Sequence, residues 1–117
     1  MSKGNWFEIR RGAYNLRTKA VTATYSTRAG GTSDNFIEDR VITVSDAAAD
    51  FTITVSNGTY EGQRLLITVL SNTSSITVTV TTTTGDDCTL DTAGDYISLE
   101  WANATAGWQE MHSEKAS

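Results

Sequence analysis

The chain has 117 residues, of which 38% are hydrophobic and 20% charged, with 20 threonines, nine glycines, one cysteine and no proline. That length suits one domain with a core, while a single cysteine excludes an intrachain disulfide and a cysteine-based zinc site. No apolar run approaches the ~20 residues that a membrane-spanning helix needs.

The net charge of −5 conceals a split. Residues 1–28 carry six basic side chains (Lys3, Arg10, Arg11, Arg17, Lys19, Arg28) against Glu8 alone, a local +5. Residues 29–117 carry Arg40, Arg64 and Lys115 against 13 acids, a local −10. A basic arm on an acidic body points to an arm that meets an acidic surface. Trp6, Phe7 and Tyr14 interleave the basic residues as in some nucleic-acid arms, but an acidic body repels a phosphate backbone, so nucleic acid is not the expected partner. The opening Met-Ser-Lys-Gly-Asn-Trp has no apolar signal core, which predicts synthesis in the cytoplasm.

In chain order, Trp6–Arg10 is a short extended candidate broken by Gly12. Residues 20–25 alternate, with Val21, Ala23 and Tyr25 on one face. Arg28–Asn35 has the composition of a hinge. Residues 1–35 therefore form an extended basic N-terminal arm, and residues 36–117 form the β domain. Ser45–Asp50 is the best candidate for one helical turn, capped by Ser45.

Strands then recur about every 10–14 residues, the spacing of a sandwich or barrel. Arg40–Ser45 turns Ile42 and Val44 inward. Phe51–Ser56 sets Phe51, Ile53 and Val55 against Thr52 and Thr54. Asn57-Gly58 signals a hairpin. Leu65–Leu70 is apolar on both faces, which marks a central strand or a subunit contact. Residues 75–83 alternate, with Ile76, Val78 and Val80 inward; Thr79–Thr84 is uncharged and β-prone, a hazard at a sheet edge. Cys88–Leu90 is a short strand, followed by Tyr96–Trp101 with Ile97, Leu99 and Trp101 on one face. Trp108–His112 is the last strand. The expected fold is all-β, a seven- to eight-stranded sandwich or flattened barrel with an extended N-terminal arm. Threonine, β-branched and at home on a half-wet pleat, agrees with it.

The chemistry-bearing residues read as structure. His112 is the only histidine and sits in a polar tail. No serine has a nucleophile-elbow setting, and no glycine-rich stretch precedes a helix. Asp86, Asp87, Asp91 and Asp95 match no calcium-loop spacing and read as turn-forming acids. Cys88 reads as a small buried hydrophobe. The sequons at Asn57, Asn72 and Asn103 coincide with turns. No enzymatic activity, cofactor or metal site is expected.

Asn57-Gly58-Thr59-Tyr60-Glu61-Gly62-Gln63, an apolar strand, a Thr/Val strand, and Gly94-Asp95-Tyr96-Ile97-Ser98-Leu99-Glu100-Trp101 before Trp108 form an ordered set. From Asn57 to Met111, about half of the chain, this set resembles β-rich structural modules of tailed-bacteriophage virions. The resemblance implies a non-enzymatic β domain that forms trimers or sits on a capsid surface, most simply a capsid decoration (cement) protein on the outer surface of a phage head. The expected partners are then the major capsid protein and copies of the chain itself, and the expected location is the virion. A head or tail fibre module that binds a host receptor or glycan is the second expectation. On the first, Trp6, Phe7, Ile9 and Tyr14 anchor the arm on a capsid or neighbouring subunit. Arg10, Arg11 and Arg17 pair there with carboxylates.

Overall fold

The computed structural model describes residues 17–27 and 39–115, and these contain nine strands and no helix. They are β1 (Arg17–Val21), β2 (Tyr25–Ser26), β3 (Asp39–Ser45), β4 (Phe51–Val55), β5 (Arg64–Ser71), β6 (Val78–Thr82), β7 (Cys88–Leu90), β8 (Tyr96–Trp101) and β9 (Trp108–Glu114). A five-stranded sheet runs β1-β3-β5-β8-β9 and a four-stranded sheet runs β2-β4-β6-β7. The all-β expectation holds. The sandwich has nine strands in place of the expected seven or eight: β3–β9 come from the expected β domain, and residues 17–27, within the segment read as an arm, add one strand to each sheet.

The first six strands alternate between the sheets, so each pair is one rung laid parallel on the next. Parallel neighbours need a crossover, and here the crossover is a strand of the opposite sheet. Side chains consequently stack in columns. Val21, Val44 and Val69 share one register, and Ile42, Ile67 and Ile97 another. Across the sandwich, Phe51, Val78 and Leu90 form a third column, and Ile53 and Val80 are the middle of a fourth that runs from the partly buried Tyr25 to Cys88. All of these except Tyr25 and Cys88 are buried, and they make one continuous core. The period-2 alternation of the sequence is the cause, because each strand offers every second residue to the opposite sheet.

The arcs that join the sheets at one end also hang on one another. Asp46 N–H donates to the carbonyl of Ser71 (3.0 Å), and Thr73 N–H to the Asp46 carboxylate (3.2 Å). Thr77 N–H likewise donates to the Asp50 carboxylate at 2.8 Å. Ser45–Asp50 is thus a crossover and not a helical turn, with Asp46 at φ 51° and Ala47 buried. At the end of the first rung, Thr27 N–H reaches Thr54 O (2.9 Å) while Ser56 N–H reaches the Thr27 hydroxyl (2.9 Å).

Two further expectations are corrected. Asn57-Gly58 does not close a hairpin: β4 and β5 lie in different sheets, and the segment between them is a crossover. The threonine-rich β6 is not an exposed edge, because β4 and β7 flank it within the chain. The two-strand pairing that a local pattern predicts gives way here to the stacking of whole rungs.

Candidate functional site

The two ends of the ordered set, Gly58, Gly62 and Gln63 with Trp101 and Trp108, converge on one corner, while Gly94 and Asp95 lie at the other end of β8. Trp101 closes β8 and Trp108 opens β9, with ring centroids 5.5 Å apart in an edge-on arrangement. The crossover wraps this pair. Trp101 N–H donates to Gln63 O (2.8 Å), Gly62 N–H donates to Trp101 O (2.8 Å), and the buried Gln63 side chain accepts from Thr59 N–H at 2.6 Å. Trp108 Nε1 donates to Ser56 O (2.9 Å), which leaves both indoles inside. Gly58 lies flat on the Trp101 ring, with no room for a Cβ. The Asn-Gly pair is there for close approach rather than for a tight turn. Both tryptophans are nearly inaccessible, so this corner is a clasp and does not offer a stacking platform for a sugar.

The acids are used as local caps. Asp86 Oδ2 accepts from Glu110 N–H (2.8 Å), and Asp87 Oδ1 accepts from both Thr82 N–H and the Thr82 hydroxyl (2.7 and 3.0 Å). The buried Asp95 carboxylate takes the N–H groups of Asp91 and Thr92, each at 3.0 Å. Backbone and hydroxyl donors from Thr73 and Ser71 hold the Asp46 carboxyl below the usual carboxylate range. Asn72 spends its whole amide on the chain: Oδ1 takes Ile76 N–H (2.8 Å), and Nδ2 gives to Ile76 O (2.9 Å) and Asp91 O (2.8 Å). Asn103 Oδ1 takes the N–H groups of Thr105 and Ala106. These two sequons are turn chemistry. Among the described residues, no three His, Cys, Asp or Glu side chains are grouped to share a metal ion.

Cys88 is half-buried, and burial pushes its thiol up to about 11, far from thiolate reactivity at neutral pH. His112 is exposed on β9.

The two outer faces of the sandwich differ. Outward positions of the four-stranded sheet are Ser26, Thr52, Thr54, Thr79, Thr81 and Thr89, a surface of hydroxyls. The five-stranded sheet instead turns out Val41, Leu66, Leu70 and Tyr96 among Thr18, Ala20, Thr43, Thr68 and Ser98. Leu70 is 58% exposed. Among the described side chains, charge on this face lies at its rim, as the Arg64–Glu100 pair (3.3 Å) at one end and Glu114 on β9.

Of the expected arm contacts, Trp6, Phe7, Ile9, Arg10, Arg11 and Tyr14 lie outside the described residues. Arg17 opens β1, its backbone paired with Asp39 at the margin of the five-stranded sheet. The outward apolar residues of β3, β5 and β8 went unassembled in the sequence, although the two-faced Leu65–Leu70 strand was their signal. Compared with known proteins, the chain matches no family model and no curated protein.

Proposed function

We propose that this protein is a non-enzymatic structural component of a tailed-phage virion, a decoration protein that grips the outside of the capsid as an oligomer, most simply a trimer. One observation carries the reading: the two ends of the ordered set, Gly58, Thr59, Gly62 and Gln63 on one side and Trp101 and Trp108 on the other, meet in a single clasp. A shared clasp is what a shared module has to preserve, since its loss unseats the last two strands. The carboxylates and amides described above are committed to holding turns, which fits a protein that works by surface. The basic segment that precedes β1 serves the grip by clamping neighbouring subunits together, because an assembly with several contacts multiplies avidity on a repetitive shell.

Strand β1 sets where a test must cut. Deletion of residues 2–16 removes the anchors and spares Arg17–Val21, which the five-stranded sheet needs. The truncated chain is expected to fold and to lose co-sedimentation with DNA-filled heads. Undiminished coating of heads by the truncated chain excludes the clamp, and absence of the protein from purified virions excludes a virion role. If the protein is found on tails and not on heads, the fibre-module reading replaces the decoration reading.

A further inference from the structure

We infer that the outer face of the five-stranded sheet is a contact between copies of this chain, and that its occupant is the N-terminal segment, residues 1–16, of a second copy. This deepens the reading of that segment as a clamp; it does not depend on which virion surface the assembly binds.

The first argument is the contrast between the faces. Both sheets are built from the same alternating strands, so their outward positions face the same demand for solubility. The four-stranded sheet meets it with threonine and serine throughout, whereas the five-stranded sheet places Val41, Leu66, Leu70 and Tyr96 outward. Large apolar side chains gathered on one of two equivalent faces mark the face that is covered. The second argument is charge. Copies of a chain whose residues 29–117 carry −10 repel each other except where a contact is free of acids, and the middle of this face is.

Size selects the occupant. Five strands at ~4.8 Å spacing and about 18 Å of strand length give a flat area on the order of 450 Å². A stable interface takes about 800 Å² per partner, so two such faces pressed together fall short. The segment before β1 supplies the missing apolar surface in Trp6, Phe7, Ile9 and Tyr14. Stretched out, Trp6 to Tyr14 covers about 27 Å, enough to cross the face of a second copy. Its Arg10 and Arg11 suit the acidic margin at Glu114.

The test uses the full chain with its single cysteine replaced, Cys88→Ser. One tagged copy carries Phe7→Cys and a differently tagged copy carries Leu66→Cys; the two are mixed and oxidised. A disulfide between the two tags is expected. It should be absent when the second cysteine is placed on the opposite sheet, as Thr79→Cys. In light scattering, wild type is expected above its 12.6 kDa monomer mass, and Leu66→Glu should weaken the assembly at least about tenfold with its melting curve retained. Thr68→Glu, beside it on the same face, repeats the measurement if Leu66→Glu folds poorly. A disulfide that forms only within one chain bearing both cysteines means the segment covers its own face, and the inference fails. A wild-type monomer at tens of micromolar also overturns it. Loss of head binding by an intact oligomer would instead count against the proposed function alone.

Discussion

The clasp around Trp101 makes one quantitative demand, at Gly58. A Cβ added there would lie within 2.8 Å of three Trp101 carbons, where carbon atoms normally rest about 3.5–4.0 Å apart. The overlap requires a displacement of roughly 1 Å, and neither side can give it cheaply. Trp101 is tied through its N–H and C=O to Gln63 and Gly62, and its ring abuts Trp108. Overpacking of this kind costs typically ~1–3 kcal/mol, and the rigid backing puts Gly58→Ala at the upper end. For a domain of this size that is about 8–15 °C in melting temperature. Gly62→Ala is the comparison: Gly62 has φ +89° and open space around it, so alanine meets only backbone strain of about 1 kcal/mol. The two variants are compared by urea unfolding followed through tryptophan emission, with equal m-values required. Trp101→Ala, itself destabilising, removes the two ring carbons that the added Cβ would meet most closely, and should cut the cost of Gly58→Ala sharply in the double variant. A Gly58→Ala cost below about 0.5 kcal/mol, or no coupling to Trp101, would refute the clasp.

Other outcomes can be stated more briefly. Leu99→Ala, at a fully buried position, should cost ~2–5 kcal/mol in the same assay; less than 1 kcal/mol would place Leu99 outside the core. Asn72→Ala strips three hydrogen bonds from the joint between the β5–β6 arc and Asp91, and should lower stability by about 2–4 kcal/mol with the sheet spectrum intact in circular dichroism. The native Cys88 thiol should react with a disulfide reagent at pH 8 far more slowly than the urea-unfolded chain, and equal rates would contradict its burial. Lys115 and Ser113 hold the Glu110 carboxyl below its usual range, so the stability this group contributes is present above the ordinary glutamate range and disappears as pH falls through the lowered value. The urea midpoint should therefore drop less between pH 7 and pH 3 in Glu110→Gln than in wild type.

Much of the core was legible because a strand pattern is local. Phe51, Ile53, Val55, Val78, Val80, Ile97 and Leu99 alternate with polar residues, and all point inward. What the pattern could not carry was pairing. Asn57-Gly58 has the local chemistry of a hairpin, yet the burial of Trp101, more than 40 residues away, decides its use. In the same way, a threonine strand looks like a bare edge until β4 and β7 are known to flank it. Val21, Ala23 and Tyr25 read as one face of a single strand, but the chain bends after Val21, Ala23 is exposed, and Val21 and Tyr25 lie in opposite sheets as the first rung, in register with Val44 and Ile53. The outward patch around Leu66 was the least readable feature, because Val41 and Tyr96 become its neighbours only through pairing.

The ends of the columns bear on the choice between a shell-bound protein and a fibre module. A stack of parallel rungs could in principle continue, and a rung added beside β1 would lie over its inward positions. One of these is Lys19, in register with Ile42 and Ile67, and its ammonium sits 5.5 Å from the centre of the Tyr25 ring. Another rung would bury that charge between apolar layers, which costs several kcal/mol unless a partner accompanies it. At the opposite margin, Leu65 and Leu99 are followed in register by Glu110, which is bonded to Lys115 (2.6 Å) and Ser113 (2.5 Å). Inward-facing charges on edge strands are a device that stops sheets from growing. Both margins of the described stack carry one, so extension rung upon rung is disfavoured at either end. Assembly then falls to the faces, and of the two faces only the one around Leu66 is apolar. A body with such margins, joined to its copies through that face as inferred above, would suit the proposed seat on a shell better than a shaft.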